Sequence, residues 1–203
     1  MILFQIPDWV RYFFKGFTWR KDPSKKVIYL TFDDGPVPEV TPLVLDILDQ
    51  YDVKATFFMV GDNVRKHPDV YQQVISRGHH VGSHSYHHLQ GLHSGVRSYV
   101  ADVKKTNDML GTKLFRPPHG RLRAPQVSLL KREGYEIILW DVLANDWSKW
   151  LKPDFILFNV KRHTRNGSII VFHDSIKARH NMLPVLPQAL KWWKEQGYSF
   201  GVL

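Results

Sequence analysis

The chain has 203 residues, 43% of them hydrophobic and 23% charged, which suits one domain with a sizeable core and shows no sign of disorder, collagen or repeats. It contains no cysteine, which excludes disulfides, thiolate metal sites and a cysteine nucleophile; any metal must be held by His, Asp or Glu. Lys plus Arg is 28 against 19 for Asp plus Glu, a net charge of +9 that favours anionic partners, but the basic residues are scattered in pairs such as Lys25-Lys26 and no nucleic-acid partner is expected.

Residues 1–20 form an aromatic and basic segment broken by Pro7, Asp8, Arg11 and Lys15. They lack the basic start, continuous apolar core and cleavage site of a secretory signal, and no apolar run approaches the roughly 20 residues of a membrane span. Wound as a helix, Trp9, Val10, Phe13, Phe14 and Phe17 fall mostly on one side. That pattern suits packing on the domain exterior or peripheral contact with a membrane interface, so the expected location is cytoplasmic or peripheral membrane. Residues 21–203 are read as one further domain. Seven β-rich runs follow, at 27–32, 55–60, 79–82, 113–116, 136–142, 168–172 and 198–202. Helical periodicity occupies 41–51, 68–77, 95–110, 125–133, 153–165 and 182–196. Gly78, Gly134 and Gly197 each close a helix before the next strand, as a glycine does where φ must be positive. Strands alternating with helices imply a parallel sheet in an α/β fold, with a closed or nearly closed barrel competing with an open doubly wound sheet.

Asp33, Asp34, His84, His88, Arg116, Asp141, Asp146 and His173 fall at or just after the ends of these strands. In a parallel barrel those ends share one rim, where such folds carry their chemistry. Asp33 and Asp34 finish an apolar strand before a Gly-Pro turn. His84 and His88 are four residues apart, so one helical turn would place both imidazoles on one face. Asp34, His84 and His88 make a two-His, one-carboxylate set that suits Zn²⁺, with Co²⁺ or Ni²⁺ as alternatives; non-haem iron oxygenases use a similar set. Such a site can activate water for attack on an amide carbonyl, with Asp33 as base and His173 protonating the leaving amine. His67, His93, His163 and His180 receive no role.

The ordered motifs Thr31-Phe32-Asp33-Asp34-Gly35, His84-Ser85-Tyr86-His87-His88, Arg116-Pro117-Pro118-His119-Gly120, Trp140 to Trp147 and Val171-Phe172-His173-Asp174-Ser175 resemble the polysaccharide deacetylases of the NodB-homology carbohydrate esterase class. The resemblance covers roughly residues 27–202. It implies a single-domain, distorted (β/α)7-type barrel with parallel strands and a metal-dependent hydrolase removing N-acetyl groups from an N-acetylglucosamine-type glycan, peptidoglycan or chitin-like. Its implied metal ligands are Asp34, His84 and His88. Asp33 is the implied general base, held by Arg116, and His173 the general acid. The backbone N–H of His119, after Pro118, is the implied oxyanion donor, and Trp147 and Val171 line the acetyl pocket.

Two positions depart from the family pattern. His119 stands where Tyr is usual, and Leu143 stands where many members carry an Asp four residues before the Trp. Asp146 or Asp141 is left to orient the catalytic groups; Asp146 is preferred because the pattern retains it, although Asp141 shares a strand face with position 143. Two other readings compete: a deacylase of a lipid-linked amido sugar at the membrane, and a catalytically silent carbohydrate-binding relative.

Overall fold

A computed structural model describes residues 4–203 except 6 and 15, with the backbone alone at 12 and 13. The strand Val27–Asp33 (β1) shows how the sequence builds both layers of the fold. Ile28, Leu30 and Phe32 are fully buried and join one apolar cluster with residues of Thr41–Gln50 (α2) and Arg179–Glu195 (α8). The alternate residues Tyr29, Thr31 and Asp33 take the opposite, barrel-interior face. There Phe58, Ile138 and Ile169 form a smaller cluster with Tyr29 packed against it. Burial on both faces is the pattern of a parallel strand covered by helices.

The remaining strands are Thr56–Met59 (β2), His80–Ser83 (β3), Leu114–Phe115 (β4), Glu136–Ile137 (β5), Val142–Leu143 (β6), Ile169–His173 (β7) and Ser199–Gly201 (β8). The sheet order is β5-β4-β3-β2-β1-β7-β6, and every ladder pairing is parallel. β8 pairs with Val27–Tyr29 of β1 while β2 pairs with Thr31–Asp33, so β8 occupies the lower part of the edge whose upper part β2 takes. The run expected as one strand at 136–142 is two short strands that pair with opposite ends of the sheet. Only residues 138–141 separate them, so the chain itself crosses the gap and curls the sheet into the expected distorted barrel. Thr18 fills the gap, bridging Ile138 and accepting the Leu139 N–H at 2.8 Å.

The covering helices also include Pro68–Ser76 (α4), Val96–Leu110 (α5), Ala124–Arg132 (α6) and Pro153–His163 (α7), close to the expected spans. Proline stands in the first turn of α2, α4, α6 and α7, where its missing N–H costs nothing. Gly78, Gly134 and Gly197 all have positive φ, as their helix-closing positions require. A short helix, Gly61–Lys66 (α3), has no counterpart among the expected elements.

Within residues 1–20 the helix is only Asp8–Phe13 (α1), so Phe14 and Phe17 lie beyond it. The Phe13 side chain and Lys15 lie outside the described residues. Phe4 is buried, Gln5 bridges Val142 antiparallel and Arg11 pairs with Asp141, so this segment packs on the barrel. Trp9 and Phe14 stay exposed.

Candidate active site

Arg116 follows β4 and is fully buried. Its Nη1 donates to Thr31 Oγ1 at 2.7 Å and to Asp33 Oδ1 at 2.6 Å, and its Nη2 donates to the Leu139 carbonyl at 3.2 Å. The guanidinium lies 4.1 Å over the Phe58 ring. A buried cation needs such a set of partners, and the result fixes one oxygen of Asp33 at the top of β1.

Asp34 comes next, in left-handed backbone at φ 83°. Its Oδ1 lies 3.7 Å from His84 Nε2 and 3.3 Å from His88 Nε2, and one donor atom from each of the three residues lies within 4.8 Å of the others. The two histidines do not meet on a helical turn. Residues 84–88 form a loop after β3, and positive φ at Ser85 and His88 brings the rings to 5.0 Å apart. His87 turns to Asp102 instead.

The donor set fits a divalent metal. His84 Nδ1 lies 2.8 Å from the Arg116 carbonyl, which has only a lone pair to offer, so Nδ1 carries the hydrogen and Nε2 keeps its lone pair toward Asp34. Burial pushes the His84 imidazole down to about 4, leaving it neutral as a ligand must be. Burial raises Asp34, but the His88 hydrogen bond and the charge on His173 outweigh it and hold the carboxyl well below its usual range.

His173 ends β7. Both its backbone N–H and its Nδ1 lie 2.8 Å from the Asp146 carboxylate, which is fully buried and follows Asn145 at φ 57°. Burial disfavours the charged ring, yet Asp146 more than offsets that, with help from Asp34 and Asp33, and pushes His173 up to about 9. Asp141 does not reach this group. It accepts from Ser168, Arg165 and Arg11 beside the start of β7, because β6 is set with Val142 opposite Ile170, which places Asp141 well below His173.

A cavity of about 600 Å³ opens over these residues. Asp33, Asp34, His84, His88, His119, Trp147 and His173 line it. Pro118 and Val171 are buried and do not, so the apolar wall beside Trp147 is Leu143 rather than Val171. The lining also includes Trp140, which opens the fourth motif, and His93, Arg121 and Lys177, which lie outside the motifs. Trp140 approaches because position 120 is glycine; a Cβ there would sit 2.6 Å from the indole. Asp174 was quoted within a motif but given no task. Its Oδ1 accepts the Gly35 N–H at 3.1 Å and its Oδ2 the Thr41 hydroxyl at 2.6 Å, bracing the turn after Asp34. Among the described residues six non-glycines have positive φ, and all but Asp52 lie in the loops around this cavity, where strain is retained when surroundings enforce it.

A family model for polysaccharide deacetylase matches residues 20–138. The chain belongs to this family. A peptidoglycan-N-acetylglucosamine deacetylase of Bacillus cereus is 36% identical over 196 residues, covering 90% of this chain and 89% of that protein. The peptidoglycan-N-acetylmuramic acid deacetylase PdaC of Bacillus subtilis is 32% identical over 88% of this chain, which spans 38% of that longer protein. Among solved structures, a peptidoglycan N-acetylglucosamine deacetylase bound to 4-naphthalen-1-yl-N-oxidanyl-benzamide superposes with a TM-score of 0.86 at 30% identity, covering 97% of this chain and 94% of the other. The family acts hydrolytically on N-acetyl amide bonds and is metal-dependent. A pseudoenzyme of carbohydrate esterase family 4 from Bacillus anthracis also superposes, with a TM-score of 0.82 at 30% identity, covering 91% of this chain and 66% of that one. The fold alone is thus shared by a pseudoenzyme, so activity depends on the residues of the site.

Proposed function

We propose that the chain N-deacetylates peptidoglycan with one divalent cation, Zn²⁺ by preference, held by Asp34, His84 and His88. The observation that carries this reading is a base and an acid, each fixed by its own buried partner, in the cavity that holds the donor set: Asp33 on Arg116 and His173 on Asp146. When bound, the cation supplies Lewis acidity that eases deprotonation of water and polarises the acetyl carbonyl. Asp33 takes the proton of the attacking water through the oxygen that Arg116 leaves free. The His119 backbone N–H, in left-handed backbone at φ 59°, faces the oxyanion. His173, protonated at neutral pH, gives its Nε2 proton to the departing sugar amine, since Nδ1 is committed to Asp146. Leu143 and Trp147 enclose the acetyl methyl. Arg121 and Lys177 have no ion-pair partner among the described residues, whereas the carboxylates in the lining, Asp33 and Asp34, are engaged. Free cations beside the cavity suit a glycan with carboxylate substituents, as peptidoglycan has, better than a neutral chitin-like chain.

The test is acetate release from peptidoglycan, N-acetylated chitooligomers and an O-acetyl ester, with chelator and with Zn²⁺, Co²⁺ or Ni²⁺ restored. Metal-dependent release that is abolished in Asp33→Asn and His173→Ala is expected. No release from any of these substrates would overturn the reading and leave the lipid-linked deacylase and the silent relative.

A further inference from the structure

The loop that carries His84 and His88 has no regular hydrogen-bonded geometry of its own. Ser85 at φ 61° and His88 at φ 54° adopt backbone that L-residues keep only when neighbours enforce it. The loop carbonyls are held from one side, where the first two N–H groups of α3 donate, Gly61 to Ser85 O and Asp62 to Tyr86 O, each at 3.0 Å. The His84 N–H donates to the Met59 carbonyl at 2.8 Å and the Ser85 N–H to Ser83 Oγ at 3.2 Å, and the next two N–H groups are held from the other side by a single carboxylate. Asp102 stands on α5 among the buried residues Tyr99, Val103 and Thr106, an acid on an otherwise mostly apolar face, and is itself 8% exposed. Its Oδ2 accepts the N–H of Tyr86 at 2.9 Å and that of His87 at 3.1 Å, and its Oδ1 lies 2.5 Å from His87 Nδ1.

A buried anion is costly unless its lone pairs are used, and here they are used entirely on one loop. One oxygen gathers two successive amides and so sets the direction in which the chain leaves His84 and arrives at His88. The other oxygen occupies the His87 ring, which keeps that third imidazole out of the donor cluster. We propose that Asp102 is the positioning residue of the metal site: it builds the spacing between His84 and His88 that the loop cannot build alone. This rests on the reading of Asp34, His84 and His88 as metal ligands.

The proposal separates geometry from charge. In Asp102→Asn the side-chain oxygen can still accept both amide N–H groups, because both bonds go to the same atom, but the charge is gone. In Asp102→Glu the charge remains and the carboxylate is displaced by a methylene. Zn²⁺ affinity of the full chain is measured by competition with a chromophoric chelator, well below the unfolding temperature of each variant, beside Asp102→Ala and His87→Ala. The expected result is affinity within about 3-fold of the parent for Asn and a loss of about 10- to 100-fold for Glu and Ala, the range seen when a group supporting metal ligands is removed. His87→Ala is expected to lose less than Ala at position 102, since the two amide bonds survive it. If Asp102→Ala does not fold, the Asn and Glu pair carries the test. Equal affinity in Asn and Glu, or loss in Asn alone, overturns the proposal. Failure of the parent chain to bind Zn²⁺ overturns the metal reading itself, a different outcome from a parent that binds and variants that bind equally well.

Discussion

Replacing Asp146 by Asn removes the charge and keeps an oxygen for the Nδ1–H of His173, at the cost of the bond that the other carboxylate oxygen accepts from the His173 backbone N–H. His173 is raised from 6.5 to about 9, which favours the protonated ring by about 3 kcal/mol. Burial works in the opposite direction, and Asp146 is the largest of the groups that offset it, ahead of Asp34 and Asp33. Without Asp146, His173 should fall toward 6.5, and its protonated fraction at pH 7 from about 99% toward roughly a quarter. The assay is kcat against pH at saturating metal. The alkaline limb of the parent reports loss of the general acid, and in Asp146→Asn that limb should move about 2 pH units toward acid. A bound cation lowers His173 in both proteins, so the difference between the limbs is the quantity to read. The sign for stability is also fixed. A folded pKa above the unfolded one stabilises fully below pH 6.5 and is lost as pH rises through about 9, so the substitution should destabilise most at pH 6 and least at pH 10. Coincident alkaline limbs for parent and variant would refute the role given to Asp146.

Zn²⁺ at about 100 times its Kd should stabilise the parent by about 2.7 kcal/mol in thermal unfolding, and His84→Ala or His88→Ala should remove that increment. Asp33→Asn should bind metal with parental affinity while kcat falls about 10²- to 10⁴-fold; a matching loss of metal binding would place Asp33 among the ligands instead. Asp141→Asn should cost about 3 kcal/mol in urea unfolding by leaving Arg11 and Arg165 without their buried partner, with the alkaline limb of kcat unmoved. Arg121→Gln with Lys177→Gln should lower the ratio of kcat/KM on peptidoglycan fragments to that on neutral chitooligomers about 10-fold, an effect that shrinks as salt rises; an unchanged ratio would remove these cations from recognition.

The alternation of strands and helices was readable because each element carries its own signal: β1 in its run of β-branched and aromatic residues, α4 and α7 in their leading prolines, three helix ends in their glycines. What could not be read is the break at 138–141. Locally Glu136 to Val142 is one β-rich run, and nothing in it records that its two halves pair with strands from opposite ends of the sheet. That break is tertiary, and so is its consequence for Asp141. Strand alternation places Asp141 on the face of Leu143, but β6 is two residues long, too short to carry that alternation, and the Arg11 and Arg165 side chains that claim Asp141 arrive from distant parts of the chain. Asp146 reaches His173 for a reason outside periodicity as well, since the positive φ of Asn145 turns it back onto that ring.

The same distinction bears on the metal site. A four-residue spacing of histidines is sound evidence for chelation when a helix supplies the geometry, because the 3.6-residue repeat then sets the separation locally. Here the identities of the donors follow the spacing while its mechanism does not. The separation is imposed by the N-terminus of α3 on the loop carbonyls and by Asp102 on the loop amides. With Asp34, His84 and His88 as the proposed ligands, metal affinity should depend on how α3 and α5 pack beside β3, and a substitution that touches no ligand should weaken it. The readable trace was an aspartate on the buried stripe of a helix between Tyr99 and Thr106, where an acid without a local partner must find one across the fold.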